Sequence, residues 1–115
     1  MTRVRVIIGS VAVTGTLNES QTAKRIAAAL PLESTAQRWG DEVYFTIPLA
    51  LDPENAQANV ASGTIAYWPP GSALCLFFGQ TPYSPVNVVG HLDGDPRVLA
   101  AVTDGQTVRV EREST

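Results

Sequence analysis

The feature that most constrains this chain is a series of short segments in which apolar residues occupy every second position, with glycine or proline between the segments. Near the N-terminus Val4, Val6 and Ile8 follow this pattern, which is typical of a β-strand with one buried face. Further strand-like segments occur at residues 10–13, 32–39, 41–47, 63–68, 73–79, 86–92 and 106–111. Because closure of a sheet removes its exposed edges, eight such strands favour a closed β-barrel, with a sandwich as the alternative.

One segment has the period of a helix instead. Apolar residues recur at i, i+3, i+4 and i+7 from Ala23 to Leu30, and Pro31 ends the pattern because proline cannot continue a helix. A second, shorter helical turn is predicted near residues 96–102, and the polar segment 50–61 is predicted to be a loop. We therefore expect a mainly β protein whose barrel is capped by one or two short helices.

Length and charge limit the classes of protein to which the chain can belong. Its 115 residues predict one domain over residues 1–115, long enough to form a core without disulfides. The 8 basic residues are scattered among 11 acidic ones, so we expect no nucleic-acid partner, which would require a local positive field. No apolar run approaches the roughly 20 residues of a membrane span, and the N-terminus lacks a signal-peptide pattern. We therefore expect a cytoplasmic protein with no membrane partner.

Three sequence runs carry a resemblance to a known family. They are RWGDEVYFTIP at residues 38–48, GTIAYWPPGSALCLFFGQTP at residues 63–82 and SPVNVVGHL at residues 84–92. Together with the helix that ends in Ala-Leu-Pro, they resemble the prokaryotic cyclophilin-like family of small proteins, of the Thermotoga type. The resemblance implies a closed eight-stranded β-barrel with helices over its ends. It does not imply prolyl isomerase activity, because the family shares the cyclophilin fold without an established reaction.

Glu42 and Tyr44 form the first candidate site. In a strand over residues 41–47, alternate side chains face opposite sides of the sheet. The residues expected inside the barrel are Val43, Phe45 and Ile47. Glu42 and Tyr44 would then face outward, close to Arg38 and Trp39 of the preceding bend. This face is either a solvated surface with a salt bridge, or one wall of a pocket in which Glu42 acts as acid or base.

The second candidate site surrounds a pair of adjacent phenylalanines. Phe77 and Phe78 point in opposite directions along their strand, so only one of them can enter the barrel. The other ring, with Trp68 beside the Pro-Pro-Gly turn, would frame an aromatic pocket to which Gln80 and Thr81 add polar groups. Two other interpretations stay open, since such a ring could lie under the loop or at a homodimer contact.

No metal ion and no common cofactor is expected. His91 is the only histidine and Cys75 the only cysteine, whereas zinc sites need three or four ligands. Cys75 lies in an apolar run and is expected to be a small buried residue. The glycines do not form a dinucleotide-binding turn, and no phosphate-binding loop is present. The candidate sites therefore suit an organic ligand or a peptide.

Three functions are compatible with these residues. The first is binding of a small apolar or partly polar ligand, or of an extended peptide. The second is an enzyme in which Glu42 is acid or base and Tyr44 or Arg38 assists on a carbonyl or enol substrate. The third is a peptidyl-prolyl isomerase, suggested by fold alone, in which Arg38 would have to act. Burial beside Trp39 would raise the pKa of Glu42, whereas pairing with Arg38 would lower it, and the sequence leaves this direction open.

Overall fold

The computed structural model describes residues 1–79 and 84–113. Within these ranges nine strands form one antiparallel sheet, accompanied by one α-helix and two short 3₁₀ segments. The strands are β1 (Thr2–Ile8), β2 (Val11–Leu17), β3 (Leu32–Thr35), β4 (Gln37–Arg38), β5 (Glu42–Thr46), β6 (Thr64–Trp68), β7 (Ala73–Phe77), β8 (Asn87–Leu92) and β9 (Thr107–Arg112). The helical elements are α1 (Gln21–Ala29) and the 3₁₀ segments Pro69–Gly71 and Pro96–Ala101.

The two outermost strands of the sheet are consecutive in the chain. The strand order is β3-β9-β1-β2-β8-β6-β7-β5-β4, and only Ala36 separates β3 from β4. The chain itself thus connects the two ends of the sheet, and the Ser34 hydroxyl donates a hydrogen bond of 2.6 Å to the carbonyl oxygen of Thr46 on β5. The predicted barrel is confirmed, in the form of a nearly closed antiparallel sheet.

The count of nine strands instead of the predicted eight has a simple origin. The predicted strand over residues 32–39 is divided at Ala36, because its first half pairs with β9 and its second half with β5. The second strand also extends to Leu17, beyond its predicted end at residue 13. Gly15 permits this extension, since a Cβ there would lie 2.5 Å from the backbone oxygen of His91 on β8.

Helix α1 covers one side of the barrel. The Ser20 side chain caps its N-terminus by accepting a hydrogen bond of 3.1 Å from the backbone N–H of Ala23. Its apolar stripe, which includes Ala23 and Ile26, is fully buried and packs over β2 and β8. The predicted second helical turn is present as the 3₁₀ segment Pro96–Ala101. None of the described helices has the length and apolar character needed to span a bilayer.

One part of the barrel wall carries apolar residues on both faces. The interior contains Val43, Phe45 and Ile47 as predicted, with alternate residues of the other strands. We call a second group of buried residues the outer cluster: Ala66, Cys75, Phe77 and Val86. It lies on the outside of β6, β7 and the chain leading into β8, and Val60 of the predicted loop packs against it. Strand β7 is therefore buried on both sides, which explains its continuous apolar sequence.

Candidate functional site

An aromatic pocket lies on the outside of the barrel, next to the outer cluster. Its lining residues are Trp39, Glu42, Tyr44, Trp68, Ser84 and Val86. The cavity has a volume of about 190 Å³, and both tryptophans of the chain line it. The structure thus brings together four residues of the two candidate sites proposed from the sequence, Trp39, Glu42, Tyr44 and Trp68.

The bend between β4 and β5 positions three of the lining side chains. Gly40 has a positive φ of 58°, which reverses the chain, and the backbone N–H of Trp39 donates a hydrogen bond of 3.0 Å to the carbonyl oxygen of Glu42. Trp39 is thereby held beside the start of β5, with 48% of its surface exposed. Alternation along β5 then places Glu42 and Tyr44 on the same outer face.

The Pro-Pro-Gly turn positions the Trp68 ring. A Cβ at Gly71 would lie 2.4 Å from two atoms of the Trp68 indole, so only glycine leaves room for this ring. The left-handed residue at the end of this turn is Ser72, with φ of 48°. On its other side, the Trp68 indole N–H donates a hydrogen bond to the Ser84 hydroxyl. The turn therefore fixes one wall of the pocket.

Glu42 is largely withdrawn from water although it lies on the outer face of the barrel. Only 8% of its surface is exposed. Burial raises the pKa of Glu42, and a hydrogen bond from the Cys75 thiol offsets this effect in part. Burial and the adjacent Glu42 carboxylate in turn raise the pKa of the Cys75 thiol well above its ordinary range. The sequence left open whether the pKa of Glu42 is raised or lowered, and the structure shows that it is raised. Glu42 therefore retains its proton to a higher pH than a solvated glutamate.

Arg38 does not join the pocket, in contrast to the sequence hypothesis that paired it with Glu42. Its guanidinium donates to the carbonyl oxygens of Val102 (2.9 Å), Gly40 (3.0 Å) and Ala100 (3.1 Å). It also lies over the ring of Phe78, 5.0 Å from the centroid. These contacts fasten the 3₁₀ segment to β4 and leave Arg38 outside the pocket lining, while its buried Nε has no hydrogen-bond partner among the described residues.

The two phenylalanines divide as the alternation rule requires, but neither lines the pocket. Phe78 enters the interior of the barrel, whereas Phe77 belongs to the outer cluster. Phe77 therefore supports the pocket from the same apolar cluster as Val86, without forming its wall. The predicted polar contributors Gln80 and Thr81 lie outside the described residues. The outward ring of Phe77 is itself buried, in the outer cluster against which Val60 of the loop packs.

No ligand-binding role was expected for Ser84 and Val86 from the sequence. Both precede β8, at the start of the run 84–92 that carried the family resemblance. The signal that could have found them is the strand alternation, which places Val86 on the opposite side of the sheet from Val89 of the interior. Within the described ranges, no group of three or more His, Cys, Asp or Glu side chains could hold a metal ion.

A second carboxylate, outside the pocket, fastens the loop over residues 50–61 to α1. The Glu54 carboxylate accepts hydrogen bonds from the N–H of Gln21 (3.0 Å) and from the N–H and hydroxyl of Thr22 (2.8 and 2.7 Å). The contacts with Thr22 and then with Gln21 lower the pKa of Glu54. This carboxylate therefore serves as an N-terminal partner of the helix.

Asn87, on β8, belongs to the same hydrogen-bond network between the loop and α1. Its side chain, 1% exposed, accepts from the N–H of Glu54 at 2.8 Å. Its amide group donates to the Asp52 carbonyl at 3.0 Å and to the Thr22 hydroxyl at 3.1 Å. We call the residues Thr22, Asp52, Glu54 and Asn87 the loop anchor. A backbone bridge between Gln57 and Val86 continues the attachment as far as the pocket.

A nearly closed antiparallel β-barrel with few, short helical elements is the fold that the described residues form. The chain belongs to the cyclophilin-like family, which residues 2–111 match. The solution structure of the hypothetical protein AF2241 from Archaeoglobus fulgidus is similar, with 41% identity, a TM-score of 0.83, and coverage of 97% of this chain and 95% of that one. No curated protein matches the sequence.

A more distant structure has the same fold. McbB in complex with tryptophan is 16% identical, with a TM-score of 0.80 over 97% of this chain. The match covers 45% of McbB, so the present chain spans less than half of that protein. At this identity the likeness shows the shared fold alone.

Proposed function

We propose that the protein binds a small molecule with a flat apolar body and a polar group, held in the aromatic pocket. The observation that carries the proposal is the presence of Trp39, Tyr44 and Trp68 together with the acidic residue Glu42 in the lining of one pocket. Ligand sites usually combine apolar walls with a few polar groups that fix orientation. The aromatic rings would hold the body of the ligand, and Glu42 and Ser84 would orient its polar group.

The size of the pocket favours a small molecule over an extended peptide. An apolar cavity of about 150 Å³ accepts a benzene molecule. The volume of about 190 Å³ therefore suits one substituted ring, whereas a peptide would need a continuous groove for several side chains. McbB, in which the match covers 45% of the chain, is solved in complex with tryptophan, a small aromatic molecule with polar groups.

Titration with benzyl alcohol, a small neutral aromatic probe, tests the proposal. Because both tryptophans line the pocket, tryptophan emission excited selectively over tyrosine reports on this site. We expect a saturable change in emission for the wild type and its loss in Tyr44→Ala. Thr46→Ala is the matched control, because Thr46 lies two positions further on the same outer face of β5 but does not line the pocket. Thermal melting of both variants checks that they fold.

Two outcomes would overturn this proposal. One is the absence of saturation in the wild type, and the other is an equal loss of signal in both variants. Amide NMR spectra recorded with the same probe provide an independent readout. We expect the shifted signals to cluster around β5 and Trp68, and a distribution over α1 or β9 would contradict the proposed location.

A second candidate function is proton transfer by Glu42. It is favoured by the burial that raises the pKa of this carboxyl inside the pocket, as general acid–base catalysis near neutral pH requires. Acetophenone in deuterated water is a suitable probe. The ionised carboxylate would remove a methyl proton to form the enolate, and a deuteron from solvent would replace it. We expect faster exchange with the wild type than with Glu42→Gln, and equal rates would remove this candidate.

Prolyl isomerisation has less support. The arginine that the sequence offered for this chemistry, Arg38, has its guanidinium on backbone carbonyls away from the pocket. A protease-coupled assay on Xaa-Pro peptides would measure this activity, and we expect no acceleration above the spontaneous rate.

A further inference from the structure

We infer that the ligand of the aromatic pocket is an organic cation, in which a small apolar body carries a protonated or quaternary ammonium group. This inference rests on the proposed function, because it names the class of ligand for the same pocket. Three of the six lining residues are aromatic, Trp39, Tyr44 and Trp68, and Glu42 is the charged one. The faces of aromatic rings attract cations, and this attraction increases where water is excluded.

The pocket has no positive charge of its own among the described residues. None of its lining residues is Lys, Arg or His. Arg38 is close in sequence to Glu42, but its guanidinium is held on backbone carbonyls and over the ring of Phe78. Residues 80–83 and 114–115, which are outside the described ranges, contain no basic residue in the sequence. A cationic ligand would therefore supply the counter-charge that the Glu42 carboxylate lacks.

Burial makes this counter-charge effective. The Glu42 carboxyl is shielded from solvent, and the donor that reaches it is a thiol, which is a weak one. Among the described residues, the titratable groups around it are the Cys75 thiol on β7 and the Tyr44 phenol on β5, while the Asp41 carboxylate lies against Gly79. An ammonium group beside Glu42 would favour its ionised form, since opposite charges interact more strongly away from water. Binding of the cation is thus coupled to release of the Glu42 proton.

Size and net charge are consistent with such a ligand. A ring with an aminomethyl group fits a volume of about 190 Å³ on the scale of one benzene in about 150 Å³. The formal net charge of the chain is −3, so cations are attracted to the molecule before they reach the pocket. The ring faces and the Glu42 carboxylate would both repel an anionic ligand of the same size.

The test compares benzylamine with benzyl alcohol, two probes of nearly equal shape that differ in charge. Fluorescence titration near neutral pH should give a dissociation constant for benzylamine at least about tenfold lower than for benzyl alcohol. Choline and its neutral carbon isostere, in which a tert-butyl group replaces the trimethylammonium, form a second pair. The choline pair removes the N–H donors, so a preference for choline isolates the attraction of the charge to the rings and to Glu42.

Substitution of Glu42 identifies the source of the preference. In Glu42→Gln we expect the preference for benzylamine over benzyl alcohol to fall to the smaller part that the ring faces contribute. Glu42→Asp keeps the charge and should keep part of the preference, which guards against an effect of misfolding. Calorimetry in two buffers of different ionisation enthalpy should show that wild-type protein releases protons when benzylamine binds, and that Glu42→Gln does not.

The outcomes separate this inference from the proposed function. If both aromatic probes bind to the wild type with equal affinity, the pocket binds small molecules but the cation inference is wrong. If benzylamine is preferred equally in the wild type and Glu42→Gln, the assignment of the counter-charge to Glu42 is wrong. If neither probe binds, the proposed function fails as well.

Discussion

The protein has opposite effects on two carboxyl groups: it raises the pKa of Glu42 in the aromatic pocket and lowers the pKa of Glu54 in the loop anchor. The Glu54 carboxylate accepts three hydrogen bonds from Gln21 and Thr22, which lower its pKa. The Glu42 carboxyl is more deeply buried, and the hydrogen bond that reaches it, from the Cys75 thiol, does not prevent burial from raising its pKa. The Glu54 carboxylate has its hydrogen-bond partners within the fold, whereas the pocket around Glu42 has aromatic residues but no Lys, Arg or His among its described lining residues.

This difference separates a structural acidic residue from a candidate ligand-binding one. A buried charge without compensating partners costs stability, whereas hydrogen bonds from a helix N-terminus make the ionised form favourable. Glu54 therefore contributes to folding in its ionised form. The ionised form of Glu42 instead lowers stability, and a bound molecule of opposite charge would offset this cost.

The largest expected effect concerns the loop anchor. Asn87→Ala removes the acceptor for the Glu54 N–H and the donors to Asp52 and Thr22, and it leaves a buried void. We expect the free energy of unfolding to fall by about 2–4 kcal/mol, measured by urea denaturation. Asn59→Ala, at an exposed position of the same loop, is the control and should change it little. A small effect of Asn87→Ala would show that the anchor does not depend on its hydrogen bonds.

Replacing each glutamate by glutamine compares the two sites directly, with a smaller expected effect on stability. Glu54→Gln removes the negative charge from the N-terminus of α1, so the melting temperature near neutral pH should fall by a few degrees. Glu42→Gln should leave the melting temperature unchanged or raise it slightly, because an amide avoids the cost of a buried charge. Differential scanning calorimetry compares the two variants under identical conditions. Equal losses of stability would contradict the contrast between the two sites.

The smallest expected effect is the pH dependence of stability, which has opposite signs for Glu54 and Glu42. The pKa of Glu54 is below its value in the unfolded chain, so its contribution is present above that unfolded value and is lost as the pH falls through the folded one. The pKa of Glu42 is above its unfolded value, so its contribution is present below that value and is lost as the pH rises through the folded one. Melting curves from acidic to neutral pH should therefore show the Glu54→Gln deficit shrinking towards low pH. The Glu42→Gln gain should grow towards neutral pH, and parallel curves for wild type and both variants would refute the assigned directions.

Much of the fold follows from local patterns in the sequence. The alternation in β5 correctly placed Val43, Phe45 and Ile47 inside the barrel, and the helical period identified α1. The division of one predicted strand at Ala36 could not be seen, because it results from pairing with two different partners, β9 and β5. Pairing partners are distant in sequence, and alternation along a single strand carries no information about them.

The candidate site was predictable only in part, for a related reason. Trp39, Glu42 and Tyr44 are neighbours along the chain, so their proximity follows from one bend and one strand. The meeting of this group with Trp68 depends on the β5–β7 and β6–β7 pairings. The position of Arg38 depended on carbonyl groups of the distant 3₁₀ segment, which sequence spacing does not reveal.

The chain link between β3 and β4 has a consequence for the pocket. Trp39 follows immediately after β4, so one rim of the pocket lies at the seam where the barrel wall meets itself. Trp68 stands on the other rim, on a strand from the middle of the sheet order. A molecule bound between the two indoles would bridge the end of β4 to β6, and would so link the last strand of the sheet order to a strand three positions further in.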